Sequence, residues 1–379
     1  MKTNSIIIIA KPTSECNFRC GYCYHADTHY ERGFLSYSAL EKLIKIAQRE
    51  YEFVDYIWHG GEPLLCGLDY FQEIIKFQKK YTRKDLKIIN SVQTNGSLLS
   101  KDYIEFFKDN NIDVSISIDG PEDCNVLRQQ TNYVLEKINL ARIAGLKIST
   151  ISVIHALNVD KQIEMYEYFK SLDVSMKFNP VYISGNAKEN PQYLLDADIY
   201  IDSLKNLYDY WLVDKTAVKV DPIDQYLNMV MEGRGLDCIY NSCLYHWIGV
   251  DHNGLIYPCG RSFPEEYIIG NIQEIQNISD IYQNENYLNL LKKSIVRRSK
   301  CLSTCEYYEI CNGGCNNNAL IENGDIEIPG GFLCIVLKEM IDYIKNSINT
   351  IYSNLKELDN YNPIIKDELN QRELEKVLG

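Results

Sequence analysis

The run Ser5-Ile-Ile-Ile-Ile-Ala10-Lys-Pro-Thr-Ser-Glu-Cys16-Asn-Phe-Arg-Cys20-Gly-Tyr22-Cys23 decides how the chain is read. Its first half is a short β-branched strand that Lys11-Pro12 ends. Its second half is a loop carrying three cysteines within eight residues. Three thiolates on a four-iron cluster leave one iron open, and an open iron can bind and polarise a ligand. A zinc ion would draw a fourth ligand, and His25 stands two residues beyond Cys23. Spacing alone leaves both centres open.

Outward from this run, β-branched stretches alternate with amphipathic ones. Strands are expected at Ser5–Ala10, Val54–Trp58, Ile88–Thr94, Val114–Ile118, Leu146–Ile154 and Met176–Pro180. Helices are expected at Ser36–Tyr51, where Leu40, Leu43, Ile44 and Ala47 repeat at helical spacing, and at Tyr70–Tyr81, Lys101–Asn110, Tyr133–Ala144 and Asp160–Leu172. The pattern predicts an α/β fold, a partial (β/α)6 barrel of parallel strands whose chemistry falls on the loops after the strand C-terminal ends. The expected units are a barrel over 1–183, a helical connection over 184–233 with Ile199–Met231 as its helix, a cysteine-rich module over 234–340, and a helical tail over 341–379 interrupted by Pro363. The third unit has little periodicity, so metal rather than a large apolar interior is expected to hold its core.

Composition narrows the function. With 39 Lys+Arg against 52 Asp+Glu the formal charge is −13, which disfavours a nucleic-acid partner. The apolar run Ile6–Ala10 is too short for a signal segment or a membrane span, so a cytoplasmic chain with no membrane partner is expected. Thirteen cysteines in a reducing compartment point to metal or iron–sulfur ligation rather than disulfides.

The C-x3-C-x2-C spacing, with Tyr22 before the last cysteine, resembles the radical S-adenosylmethionine (radical SAM) superfamily. Further motifs fall at successive strand ends: His59-Gly60-Gly61-Glu62-Pro63, Gln93-Thr94-Asn95-Gly96 and Ser117-Ile118-Asp119-Gly120. Each taken singly is an ordinary loop or turn. Together they resemble that family's cofactor pocket over about the first 180 residues. The resemblance implies that Gly60, Gly61 and Glu62 hold the methionyl ammonium, with glycines permitting close backbone approach to the ligand. It implies that Ser117 and Asp119 reach the ribose, that Arg128 pairs with the cofactor carboxylate, and that Tyr22 and Gln93 complete the pocket. The implied chemistry is reductive cleavage of S-adenosyl-L-methionine to a 5′-deoxyadenosyl radical that abstracts hydrogen from substrate.

From Cys238 the cysteines resemble the SPASM extension of radical SAM peptide and protein modifiers. That resemblance implies two auxiliary clusters, one on Cys238, Cys243, Cys259 and Cys315 and one on Cys301, Cys305, Cys311 and Cys334. The gap of three residues between Cys301 and Cys305 departs from the usual two. With Cys16, Cys20 and Cys23 this makes three 4Fe-4S clusters and uses eleven of the thirteen cysteines. Cys66 and Cys124 read as small packed residues. Zinc ribbons are the structural alternative for this module.

Members of this group either make formylglycine in sulfatases or modify ribosomally made peptides. The sulfatase type has an aspartate base directly after the cysteine matching Cys259, where this chain has Gly260 and then Arg261. A peptide-modifying oxidoreductase is therefore expected, with sulfatase maturation as the alternative and a non-catalytic iron–sulfur scaffold as a second one. An intact cofactor pocket argues against a scaffold. Expected partners are a peptide or protein substrate, a flavodoxin- or ferredoxin-type reductant, and a separate leader-binding protein, since the first strand begins near Ser5. Tyr22, Tyr24, His59 and Lys177 are the candidates for handling a proton or radical at the barrel mouth. His29, His155, His246 and His252 stand outside any ligand pattern. The basic run Lys292, Lys293, Arg297, Arg298 and Lys300 reads either as a solvated helix face or as a docking patch for an acidic reductant.

Overall fold

Residues 4–27, 33–241, 243–261, 263–353 and 355–378 are described in a computed structural model of the chain. Ten strands form one sheet: β1 (Ser5–Thr13), β2 (Phe53–Gly60), β3 (Lys87–Thr94), β4 (Ile112–Ser117), β5 (Ile148–Ile154), β6 (Ser175–Pro180), β7 (Val220–Asp221), β8 (Trp247–Val250), β9 (Leu255–Tyr257) and β10 (Gly270–Asn271). Their order is β10-β9-β8-β1-β2-β3-β4-β5-β6-β7. Strands β1 to β7 are parallel to one another, β8 runs parallel to β1, and β9 and β10 are antiparallel additions. The crossovers carry α1 (Tyr37–Glu50), α2 (Leu68–Lys80), α3 (Lys101–Asp109), α4 (Thr131–Ile143) and α5 (Gln162–Ser171). All six expected strands and the five expected helices between them are present.

Period-two alternation builds the barrel wall. Ile6, Ile8, Ala10, Val54, Tyr56, Trp58, Val114 and Ile116 are buried, while the alternate residues Ser5, Ile7, Ile9, Asp55, Ile57, His59, Asp113 and Ser115 are only partly so. In α1, Leu40, Leu43, Ile44 and Ala47 are all buried, and Ser36 caps the helix by accepting from the Ala39 N–H. The Trp58 indole and the Gln78 amide both donate to Asn90 Oδ1, which satisfies buried polar groups and locks α2 onto β2 and β3.

Four features differ from the sequence reading. Lys11-Pro12 does not end β1: the register shifts between Ala10 and Thr13, and the strand resumes with Thr13 opposite Gly60. An irregularity is where a strand tolerates a residue without an N–H. Ile199–Met231 is not one helix but two, Ala197–Val213 and Ile223–Glu232, separated by β7. Asp214 starts the break by accepting from the Thr216 N–H, and Pro222 precedes the second helix. The cysteine-rich segment has an apolar interior after all: Ile248, Val250, Ile256, Ile272, Ile278, Ile281 and Leu290 are buried and continuous with the barrel core. Its strand β8 was too short to stand out, yet it extends the barrel sheet. Pro363 opens the last helix, Pro363–Leu378, instead of interrupting it. Among the described residues no helix is long and apolar enough to cross a membrane.

Candidate functional site

The cysteine loop leaves β1 and is gripped from several strand ends. Gly61 N–H donates to Thr13 O and Glu62 N–H to Glu15 O, while Asn186, after β6, donates to Cys20 O and Cys23 O. A Cβ on Gly60 would lie 2.4 Å from Thr13 O, and one on Gly61 would lie 2.1 Å from Glu15 O. These glycines therefore admit the chain's own cysteine loop. Glu62 is fully buried and accepts from Leu64 N–H, Thr94 Oγ1 and Asn95 N–H at 2.7–3.0 Å. Three of about four acceptor positions on this carboxylate are thus filled by protein. It acts first as a clamp between the ends of β2 and β3.

Tyr22 lies between two other expected cofactor residues, Asp119 and Arg128. Its hydroxyl donates to Asp119 Oδ2 at 2.5 Å and accepts from Arg128 Nη1 at 2.9 Å. Asp119 is 0% exposed, and its second oxygen accepts from Val153 N–H. Each Asp119 oxygen thus takes one hydrogen bond from protein, leaving about two of its four acceptor positions open, and burial lifts its carboxyl to about 6. The buried Gln93 donates from Nε2 to Ser117 Oγ, on a partly buried residue, at 2.6 Å. Arg128 sits beside Cys20, where its charge opposes the desolvation that raises that thiol.

The structure gathers the cysteines into three groups, and none is in a disulfide. Burial is the larger cause that raises the Cys16 and Cys23 thiols, the neighbouring cysteines add to it, and Cys23 reaches about 11. Burial likewise raises the thiols of Cys238, Cys243 and Cys259, which lie close enough to Cys315 to feel its charge, and those of Cys301, Cys311 and Cys334, which line one cavity together with Cys305 and Cys315. Thiols raised in this way lose their protons to solvent when a metal cation binds and takes their place, which suits metal ligation. A tetrahedral zinc would bring sulfurs to about 3.8 Å of one another. Among the described residues no three of these sulfurs lie within 4.8 Å, and His25 joins no such group. Each set therefore fits a larger centre, an iron–sulfur cluster, better than a single ion. Cys124 is fully buried beside Asp123 and Glu164, and Cys66 is half-buried.

Between the first and second cysteine sets runs a wall of polar rings. Tyr24 Oη is 3.4 Å from His59 Nε2, its ring lies 6.1 Å from that of Tyr182, and the Arg261 guanidinium sits 4.4 Å over the Tyr182 ring. Beside it Lys11 pairs with Asp251 at 2.9 Å, both buried. The sequence reading missed this pair, Tyr182 and Arg261; the inward parity of Lys11 on β1 was the available signal. Gly260 packs against β1, and a Cβ there would lie 2.4–2.8 Å from three atoms of Ile9. Lys177 does not join this wall: it pairs with Asp221 at 2.6 Å and Asp237 at 3.1 Å. The docking patch is also corrected. Arg297 is 1% exposed and donates to Gly313 O, Gly314 O, Ile326 O and Asn316 Oδ1, while Lys293 is paired with Asp325. His29 lies outside the described residues.

Burial holds the fully buried His155 at about 4, below an ordinary histidine near 6.5. Between these values the unfolded chain binds the extra proton. The stabilisation is therefore complete above about pH 6.5 and is lost as pH falls to about 4, by about 3 kcal/mol. Asp119, raised to about 6, contributes with the opposite sign between that value and an ordinary carboxylate. In melting curves, His155→Asn is expected to flatten the loss of stability between about pH 6.5 and 4.5; an unchanged slope would contradict this.

Comparison with known proteins agrees with the geometry. The family model described as the radical SAM superfamily matches residues 11–169, and the SPASM model, described as an iron-sulfur cluster-binding domain, matches 238–316. A cysteine-type anaerobic sulfatase-maturating enzyme of Clostridium novyi is 30% identical over 339 residues, 84% of this chain and 89% of that protein. Among solved structures, histidine-tagged anSMEcpe with bound AdoMet superposes with a TM-score of 0.81 at 25% identity, covering 92% of this chain and 99% of the other. SuiB of Streptococcus suis, bound to its precursor peptide SuiA, shares the fold with a TM-score of 0.67 at 17% identity, over 87% of this chain and 76% of its own. The cysteine loop after β1, the clamped motif after β2 and the cysteine groups beyond residue 237 thus place this chain in the radical SAM superfamily, among the SPASM-bearing enzymes that include the anaerobic sulfatase-maturating enzymes.

Proposed function

We propose that this chain oxidises a residue within a peptide segment, in the space between the cysteine loop and the loop Cys259–Arg261, and that its product is a cross-link rather than formylglycine. The observation that carries this is Gly260 packed on Ile9, which fills the place of a carboxylate base. We assign 1–183 to the barrel, 184–233 to the connection, 234–340 to the SPASM unit and 341–379 to the tail. Cys16, Cys20 and Cys23 would hold the cluster that binds S-adenosylmethionine, and the two sets of four would hold auxiliary clusters. When bound and reduced, the first cluster and its cofactor supply a 5′-deoxyadenosyl radical that takes hydrogen from the substrate.

The protein's own contribution is positioning and exclusion of water. Glu62 fixes the loop whose backbone faces the cofactor ammonium, and Arg128, held by Tyr22, offers a guanidinium to the cofactor carboxylate. Gln93 and Ser117 present polar groups from the inner face of the sheet. Tyr24, bonded to His59, is the candidate to hold a substrate proton. Burial keeps His59 at about 4, so its ring is neutral and serves as a hydrogen-bond partner to Tyr24. A ferredoxin- or flavodoxin-type protein would supply the electron, and a leader-binding protein would present the substrate.

Sulfatase maturation is the second reading, favoured by the similarity to the C. novyi enzyme over 89% of that protein's length. The test is anaerobic reaction of the reconstituted enzyme with a sulfatase cysteine peptide and with candidate precursor peptides, read by mass. Loss of two hydrogens from a precursor supports the proposal. Conversion of cysteine to formylglycine would overturn it. A linked prediction follows from the packing: Gly260→Asp alone is expected to yield no formylglycine activity and a less stable protein, because Ile9 cannot move out of the wall. Ile9→Ala with Gly260→Asp should recover stability relative to Gly260→Asp alone; failure to do so would show that Ile9 is not the obstacle.

A further inference from the structure

The loop that carries no carboxylate carries a cation, and this cation faces sulfur. The Arg261 backbone N–H points to Cys259 Sγ at 3.4 Å, and the side-chain Nη1 lies 3.9 Å from Cys315 Sγ. The same Nη1 donates to Asn318 Oδ1, and the guanidinium rests over Tyr182, so the side chain is held from two sides. Its charge also reaches Cys238. Arg298 acts on Cys243, and Arg297 on Cys315 and Cys243. Asp237, beside Cys238, is the carboxylate on the other side. The set Cys301, Cys305, Cys311 and Cys334 has a weaker cationic surround: Lys338 acts on Cys301 and Cys334, Arg297 on Cys301, and Glu322 opposes them at Cys334. Among the described residues no arginine donates to a sulfur of this second set.

Adding an electron to an iron–sulfur cluster adds negative charge. Cations and N–H donors aimed at its sulfurs stabilise the reduced form and raise its potential. We propose that Arg261 is a positioning residue that raises the reduction potential of the cluster bound by Cys238, Cys243, Cys259 and Cys315 above that of the cluster bound by the second set. This rests on the reading that both sets hold clusters. Gly260 and Arg261 then form one adaptation: the small residue lets the loop lie against Ile9, and the next residue turns inward over the sulfurs.

The experiment is a potentiometric titration followed by electron paramagnetic resonance, on the anaerobically reconstituted full chain carrying Cys16→Ala, Cys20→Ala and Cys23→Ala so that only auxiliary signals remain. Arg261→Gln is expected to lower the midpoint of one auxiliary signal by at least tenfold in the reduction equilibrium, about 59 mV for one electron, and to leave the other in place. Arg261→Lys, which keeps the charge and loses the planar fork, should fall between. Should Arg261→Gln bind iron poorly, Asn318→Ala provides the second case: it releases the guanidinium from its anchor and should lower the same midpoint by a smaller amount. Unchanged midpoints at full iron content in Arg261→Gln, or in Asn318→Ala where the former loses iron, would overturn the proposal. About four irons per chain in the parent, instead of about eight, would instead overturn the two-cluster reading beneath it.

Discussion

Replacing Cys16, Cys20 and Cys23 together with alanine is expected to abolish release of 5′-deoxyadenosine and to lower bound iron from about twelve to about eight atoms per chain. The loss is complete because the three sulfurs converge on one loop and His25 joins no ligand group with them. The remaining iron persists because the other eight cysteines are held on a different part of the chain, from Cys238 to Cys334. Chemical iron analysis together with chromatography of the nucleoside product checks both halves. Retention of about twelve irons would mean that the loop is not a cluster site. A fall below about eight would mean that the three sets do not load independently.

Replacing Arg297 with alanine is expected to cost about 3 kcal/mol of stability or more, because four buried neutral acceptors lose their donor at once. Its guanidinium is shared among three carbonyls and the Asn316 amide at 2.7–3.0 Å, and it ties the helix Glu285–Thr304 to the Gly313–Gly314 turn between Cys311 and Cys315. Alanine would leave those acceptors buried and unsatisfied, in the segment that spaces Cys311 from Cys315. Lysine keeps the charge but cannot reach four acceptors in one plane. Thermal melting of the loaded enzyme reads the effect. A midpoint indistinguishable from the parent would show that the network carries little, and would reopen the sequence reading of this arginine as a surface group.

Arg297 also shows where sequence stops being legible. Its neighbours Lys292, Lys293, Arg298 and Lys300 read as one basic stripe, since local pattern carries no information about Gly313, Gly314 and Ile326 on the far side of a turn. The barrel strands were legible because burial on one face imposes a period of two over about five or more residues. Strand β7, with two residues, and β8, with four, are too short to impose any period, so the sheet was expected to be six strands wide. The clustering of the cysteines in the chain was legible in their spacing, while their division into sets of four beyond residue 237 came from the resemblance alone. The surroundings of Asp119 were not legible for a complementary reason. The motif tells which strand end it occupies, but only the fold tells that Tyr22 reaches its carboxyl first. Gly260 could be read as a missing carboxylate, while the reason for its size lay at Ile9, far back in the first strand.

The parallel pairing of β8 with Ile7–Ala10 of β1 bears on how this enzyme could be divided. Shortening the chain ahead of residue 234 would not free a self-sufficient barrel. It would strip a neighbour from the strand that carries the cysteine loop and leave a row of unpaired amides along four apolar residues, a template for sticking to other chains. Fragments of that kind are expected to precipitate on expression, while swaps of the tail beyond residue 341 spare this edge. The two family segments are thus best regarded as a single folding unit with one continuous backbone frame, and chimaeras between relatives should exchange β1 and β8 together.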